Sequence, residues 1–275
     1  MMKKKEIQIR EEEYLQEVFP PWMLLTFVQE LVTFLVQALQ IYLFSTKDKK
    51  LSSELTEILS KEKRYRGPWK VYVLSIPGQE IINAFSFGIG RKDVFITKGL
   101  MKMLTKREIM AVLLHESAHS LQLHVVQQLA TKYAVLTILY NLVNKYVLKA
   151  VSKWPSFLSN IFVIVVFVLA PQVITARTAG RWHEYISDSY AAKVGYGKEL
   201  VSALKKLTKY IKKQCNTKGC KALMKVSSVL DAHPSLENRM KNIFEKIGRK
   251  TGRIKITDIV GVIKRELGVV RTGKK

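Results

Sequence analysis

From Trp154 to Ala176 the chain runs for 23 residues without a charged side chain, and its centre, Ile161 to Ala170, is unbroken aliphatic and aromatic residues. Such a run is hidden either in hydrocarbon or in the core of a large domain, and its length suits the ~20 residues a helix needs to cross a bilayer. Pro171 lies inside it and is expected to kink it. Two other stretches share its character less fully. Pro21 to Phe44 is long enough but carries Glu30 and the glutamines Gln29, Gln37 and Gln40, so an amphipathic helix lying on a membrane is the alternative there. Tyr133 to about Leu148 has only 12 uncharged residues before Lys145 and, taken alone, reads as a buried helix of a soluble domain. Across 275 residues, 48% hydrophobic side chains coexist with 25% charged ones and a net charge of +24. That mixture suggests membrane spans alternating with strongly basic soluble parts. The N-terminal segment does not read as a cleaved leader, because Glu11, Glu12 and Glu13 flank it and Ser45-Thr46-Lys47-Asp48 offers no small-x-small cleavage site. The two cysteines, Cys215 and Cys220, lack the second pair of a zinc ribbon; a local disulfide and two free thiols are both open, and free thiols are the favoured expectation.

Chemistry concentrates at His115-Glu116-Ser117-Ala118-His119. Histidines four apart on a helix project from one face, one turn apart, so both imidazoles can grip a single metal ion. The glutamate after the first histidine then lies beside any water bound to that ion, which is the HExxH arrangement of zinc proteases. The plain alternative is two surface histidines on an ordinary helix. Arg107 to Leu114 is helical in composition and amphipathic in period, which places the motif on a helix. A third ligand must come from further along. The metzincin pattern fails, because Gln122 and Val125 stand where it needs glycine and histidine. A glutamate from a second helix is available instead: Glu184 and Asp188 are four apart and share a face. Glu184 can reach the metal, while Asp188 can accept the outward N–H of a ligating histidine. His124 and His183 read as satisfied surface or interface residues rather than ligands, and Lys205, Lys206, Lys209, Lys212 and Lys213 as a solvated or lipid-facing helix surface.

The apolar run at 154–176 lies between the histidine pair and Glu184. A single crossing there would leave the ligands on opposite sides of the bilayer. An even number of crossings is required, so the weaker segment at 133–148 is expected to span as well, with Lys149 and Lys153 snorkelling near the turn. The regions 46–108 and 177–275 are rich in lysine and arginine, and the positive-inside tendency puts both in the cytoplasm.

These residues resemble a known family, the integral-membrane gluzincins that include the HtpX-type heat-shock protease and the CAAX prenyl proteases. Five separated patches carry the resemblance in the family's order: Ile82 to Ser86, Phe95 to Leu100, His115 to His119, Glu184 with Asp188, and Asp231 to Met240. Together they cover about residues 69 to 247. Two departures stand out. Glu116-Ser117-Ala118 replaces the Glu-Leu-Gly of many relatives, and the chain has room for one N-terminal span where the HtpX type usually has two.

The resemblance implies a mainly α fold with a small β-sheet (α+β), a gluzincin-like zinc protease core with an inserted transmembrane helical hairpin and an N-terminal membrane helix. The expected organisation is an N-terminal tail (1–20), a membrane helix (21–45), a first catalytic part with the sheet and HExxH helix (46–131), the hairpin (132–177), a second catalytic part (178–250) and a basic C-terminal tail (251–275). It implies one Zn²⁺ per chain held by His115, His119 and Glu184, with Asp188 behind them and Glu116 as general base. His233 and Arg239 are candidate donors to the transition state, and Asn83, Ala84 and Phe85 are expected to line the substrate cleft. Trp69 to Ile76, Glu80 to Phe87 and Asp93 to Thr97 read as the short strands of that sheet. The expected partners are a protein or peptide substrate and the lipid bilayer, with no specific nucleic acid. The expected function is cleavage of membrane or misfolded proteins near the cytoplasmic surface. The alternatives are a CAAX prenyl-type protease, disfavoured by the short chain, and a non-catalytic basic membrane- or nucleic-acid-binding protein, disfavoured by the full set of ligands and base.

Overall fold

The structure, a computed structural model, describes residues 21–61, 67–78, 80–87, 90–215, 217 and 233–248. The expected tails at 1–20 and 251–275, and the patch residues Asp231 and Ala232, lie outside the described residues. The described residues are mainly helical with one small sheet and fall into two compact units, one formed by 21–43 with 132–171, the other by 44–131 with the described residues from 172 to 248.

The second unit holds a four-stranded mixed sheet. Strands β1 (Ser45–Asp48), β2 (Lys70–Leu74), β3 (Ala84–Ser86) and β4 (Asp93–Thr97) take the order β1-β2-β4-β3. β2 and β4 run parallel, while β1 on β2 and β3 on β4 are antiparallel. The expected strands are present but shorter, and β1 is an addition. Its sequence, Ser-Thr-Lys-Asp, has neither the apolar alternation nor the β-branched run that marks a strand. It pairs because Asp48 must turn the chain into helix α2 (Lys49–Ser60), which it caps by accepting the Leu51 N–H at 2.9 Å.

Alternation sorts the two faces of the sheet. Val71, Val94 and Ile96 enter the main core with Leu51, Leu55 and Leu59 of α2. The opposite face carries an aromatic stack at one register level: Tyr72 on Phe95 at 5.1 Å and Phe85 on Phe95 at 5.2 Å, with Phe95 fully buried between them. After β4, Thr97 caps the short helix α3 (Lys98–Met103), and its hydroxyl also binds the main chain of Asn83 at 3.0 Å. Gly99 follows because a Cβ there would sit 2.5 Å from the Ile81 carbonyl.

Helix α4 (Lys106–Leu121) carries the histidine motif and starts in a capping box: Thr105 accepts the Glu108 N–H, and the Glu108 carboxylate accepts the Thr105 N–H at 2.7 Å. The expectation of an amphipathic run before the motif is corrected here. Every residue from Glu108 to His115 is buried, because α4 lies between strands β3 and β4 on one side and two further helices of the same unit on the other. One of these is the C-terminal part, residues 181–193, of the long helix α6 (Ser156–Lys193). The other is α7 (Gly197–Gln214). Helix α8 (Leu236–Gly248) packs on both. Cys215, at the end of α7, is disulfide-bonded, which corrects the free-thiol expectation; Cys220 lies outside the described residues.

Among the described residues, three helices are long and apolar enough to cross a membrane: Met23–Leu43 within α1 (Pro21–Leu43), α5 (His124–Val151) and α6 (Ser156–Lys193). In the first unit Leu24, Leu25, Val32, Leu35, Val36, Leu39 and Leu43 all point outward, as a lipid-facing helix requires. Glu30, the charge that favoured a surface-lying α1, is paired with Lys132 and accepts from the Tyr133 hydroxyl at 3.5 Å, while Phe27 meets Tyr133 edge-on at 5.6 Å. A paired carboxylate is far cheaper to place in hydrocarbon than a lone one. The weak segment gains length from both ends, His124 to Val151, which its central charge-free stretch alone does not reveal. Pro171 lies within continuous helix, directly after a π-helical stretch at Ile164–Leu169. A widened turn of that kind accommodates the proline ring and its missing donor without ending the helix.

Candidate metal centre

Two helices of the second unit supply the site. His115 and His119 stand one turn apart on α4, and α6 brings Glu184 and Asp188, also one turn apart, against them. His115 Nε2 and His119 Nε2 are 3.1 Å apart, and the Glu184 carboxylate is 3.5 Å from the first and 3.2 Å from the second. One ligand atom from each of the three lies within 4.8 Å of the others, so His115, His119 and Glu184 could hold a metal ion. Two ring nitrogens facing each other share at most one proton comfortably, and Glu184 Oε2 is buried without a hydrogen bond. Burial disfavours a charged His115, yet the carboxylates of Asp188 and Glu184 outweigh it and push the imidazole up to about 10. A pocket that favours a proton on His115 this strongly favours a cation among these groups. The donor set, two imidazoles and a carboxylate, suits zinc.

The ligands are held from behind. Asp188 Oδ1 lies 3.0 Å from His115 Nδ1, within ion-pair range though off the hydrogen-bond angle. Arg239 of α8 grips Asp188 through two contacts, Nε to Oδ2 at 2.9 Å and Nη2 to Oδ1 at 2.6 Å, and places Nη1 3.2 Å from Glu184 Oε2. It is buried, and although burial alone favours the neutral form, the two carboxylates hold the guanidinium charged. The site front is more open. His233 is largely exposed, with Nε2 3.5 Å from Glu184 Oε1. Glu116 is partly exposed beside the two histidines, and loss of water raises its carboxyl above the usual range while His115 and His119 oppose the shift.

Asn83, Ala84 and Phe85 lie at the sheet edge. Among the described residues β3 pairs only with β4, and it packs beside α4. Ala84 faces the core and Phe85 the aromatic stack, so what this segment offers outward is its main chain. His124 and His183, expected near the surface, are both buried within the second unit, their rings stacked at 4.0 Å.

A model of peptidase family M48 matches residues 45–247, most of the chain and all of the site residues above. The chain belongs to peptidase family M48. Among similar proteins, a "Protease HtpX homolog" of Neisseria meningitidis is 29% identical over 174 residues, 58% of this chain and 61% of that protein. A "Protease HtpX homolog" of Dictyoglomus thermophilum is also 29% identical, over 192 residues, 63% of this chain and 62% of that protein. The chain thus spans about three fifths of the length of these relatives. The crystal structure of S. mikatae Ste24p shares the fold, with a TM-score of 0.57 at 22% identity, over 84% of this chain and 60% of that one.

Proposed function

We propose that this M48 chain is a membrane-bound, zinc-dependent endopeptidase that cleaves membrane or misfolded proteins near the cytoplasmic surface. The observation that carries the reading is the convergence of His115, His119 and Glu184 within 4.8 Å, with Glu116 next to the first histidine in sequence. Bound there, zinc would lower the pKa of a water toward ~7 and polarise the scissile carbonyl. The rest falls to the chain's own residues. The Glu116 carboxylate takes the proton of the attacking water and delivers it to the departing amine nitrogen, a role suited by its raised pKa. Asp188 and Arg239 fix the His115 ring and the Glu184 carboxylate so that neither reorganises during the reaction. Of the two candidate donors to the oxyanion, His233 lies at the exposed front of the site, whereas Arg239 is buried against Asp188 and Glu184 and fits a positioning role. The outer edge of β3 at Ala84, with Asn83 and Phe85 on either side, is the proposed docking strand for an extended substrate, which would add to the sheet through main-chain hydrogen bonds.

Zinc content and casein cleavage, measured in detergent for wild type and Glu116→Gln, test the reading. The expected outcome is one zinc per chain in both proteins and at least a ~100-fold loss of turnover in the variant. Equal cleavage by the two would overturn the mechanism. The fold shared with Ste24p supports a second reading, cleavage of a prenylated CAAX tail. A prenylated CAAX peptide cut in preference to casein would favour it.

A further inference from the structure

His119 presents two ring nitrogens, and only one faces the metal ligands. The other, Nδ1, lies 2.7 Å from Nδ1 of His124. His124 Nε2 in turn lies 3.2 Å from the Gln122 side-chain oxygen, an acceptor only. That contact makes His124 Nε2 the donor, so in the neutral ring Nδ1 is the acceptor. His119 then donates its Nδ1–H to His124 and keeps the lone pair on Nε2, where His115 and Glu184 converge. Five residues along a straight helix would not bring these rings together. They meet because the helix stops at Gln122 and Leu123 takes a left-handed conformation, φ 55°, before a new helix starts at His124. A leucine there stores backbone strain, of a kind that persists where the surroundings over-determine it. The His124 ring is 2% exposed and stacks face to face on His183, at 4.0 Å and 8° between planes. His183 is pinned by Gln127 at 2.7 Å and Gln128 at 3.4 Å, and it directly precedes Glu184 on its helix.

We propose that His124 is a positioning residue of the metal centre: it accepts the outer N–H of His119, fixes that ligand's tautomer, and through its stack on His183 couples the second histidine to the helix bearing Glu184. His124 is not itself a ligand, because it meets the ring of His119 on the side away from the other two ligands. The proposal rests on the zinc reading above.

Two substitutions separate hydrogen bonding from packing. His124→Phe keeps an aromatic face for His183 but accepts nothing, while His124→Asn places a carbonyl oxygen where Nδ1 stands. Zinc dissociation constants are measured by competition with a chromophoric chelator, using the full chain in detergent. The expected result is 10- to 100-fold weaker zinc binding in His124→Phe, the range found for lost outer partners of metal ligands, and affinity within about threefold of wild type in His124→Asn. Wild-type affinity in His124→Phe, or equal loss in both variants, would overturn the proposal. Should His124→Phe not fold, Gln122→Leu, at a partly exposed turn position, removes the acceptor that sets the His124 tautomer. A few-fold loss of zinc affinity supports the proposal there, and none counts against it. If wild type itself binds no zinc, the metal reading fails and the positioning role of His124 falls with it.

Discussion

Arg239 lies where a single substitution has the widest effect. It is 6% exposed and bridges Asp188 and Glu184, two carboxylates that stand one turn apart and would repel each other without it. Removing one member of such a buried set leaves uncompensated charge, which costs about 3–5 kcal/mol. Arg239→Met is therefore expected to lower the unfolding free energy of the metal-free chain by that amount, read as a shift in the denaturant midpoint. Arg239→Lys keeps the charge but loses the two-pronged grip on Asp188 and should cost less, about 1–3 kcal/mol. Equal and negligible costs for both would mean that Arg239 only decorates the site. At this scale the sequence was readable in proportion to local spacing. His115, His119, Glu184 and Asp188 announce themselves because pairs four apart share a helix face. The role of His124 was hidden, since it depends on one left-handed residue, Leu123, of a type that rarely adopts that conformation.

Helix α4 is anchored by Glu108, which joins the capping box to α7 by accepting from Ser202 at 2.7 Å and Lys206 at 2.6 Å. Burial works to raise its pKa, but Lys206, Ser202 and Thr105 outweigh it and bring the carboxyl from 4.5 down to about 2. A depressed folded-state pKa means stability that is fully present above about 4.5 and is lost as pH falls from there toward 2. Glu108→Gln should cost about 1–3 kcal/mol at pH 7, and its stability should converge on wild type over that same window, where the native carboxyl becomes neutral too. Urea titrations at pH 7, 4 and 3 follow the convergence; a gap that stays constant with pH would show that charge is not what Glu108 contributes. Elements were legible where local composition or spacing marks them, as in the β-branched and aromatic runs of β2 and β4 and the helix formers and four-apart histidines of α4. They were not where tertiary contacts decide: β1 is polar throughout and exists because β2 offers it an edge, and Pro171 keeps its helix because the π-helical stretch before it makes room.

For the whole molecule, the informative quantity is the number of bilayer crossings between the ligands. α5 and α6 both have the length and apolarity to cross; both follow His119, and α6 carries Glu184 in its C-terminal part. If both cross, the chain segments 44–123 and 194–248 emerge on one side, which the joining of His115, His119 and Glu184 demands. If α1 crosses as well, residue 3 is on the other side. Single cysteines at Lys61, Lys198 and Lys3, probed with a membrane-impermeant thiol reagent in intact cells, measure this directly, since disulfide-bonded Cys215 contributes no thiol. Lys61→Cys and Lys198→Cys should react only after permeabilisation, and Lys3→Cys before it. By the positive-inside tendency the basic flanks predict a cytoplasmic position for the first two. Labelling of Lys61→Cys and Lys198→Cys from opposite sides would rule out the hairpin, because no folding of the soluble parts could then unite the ligands. A chain released from membranes by high salt would instead mean that charge alone holds it there. Retention until detergent is added is the outcome that three exposed apolar helices require.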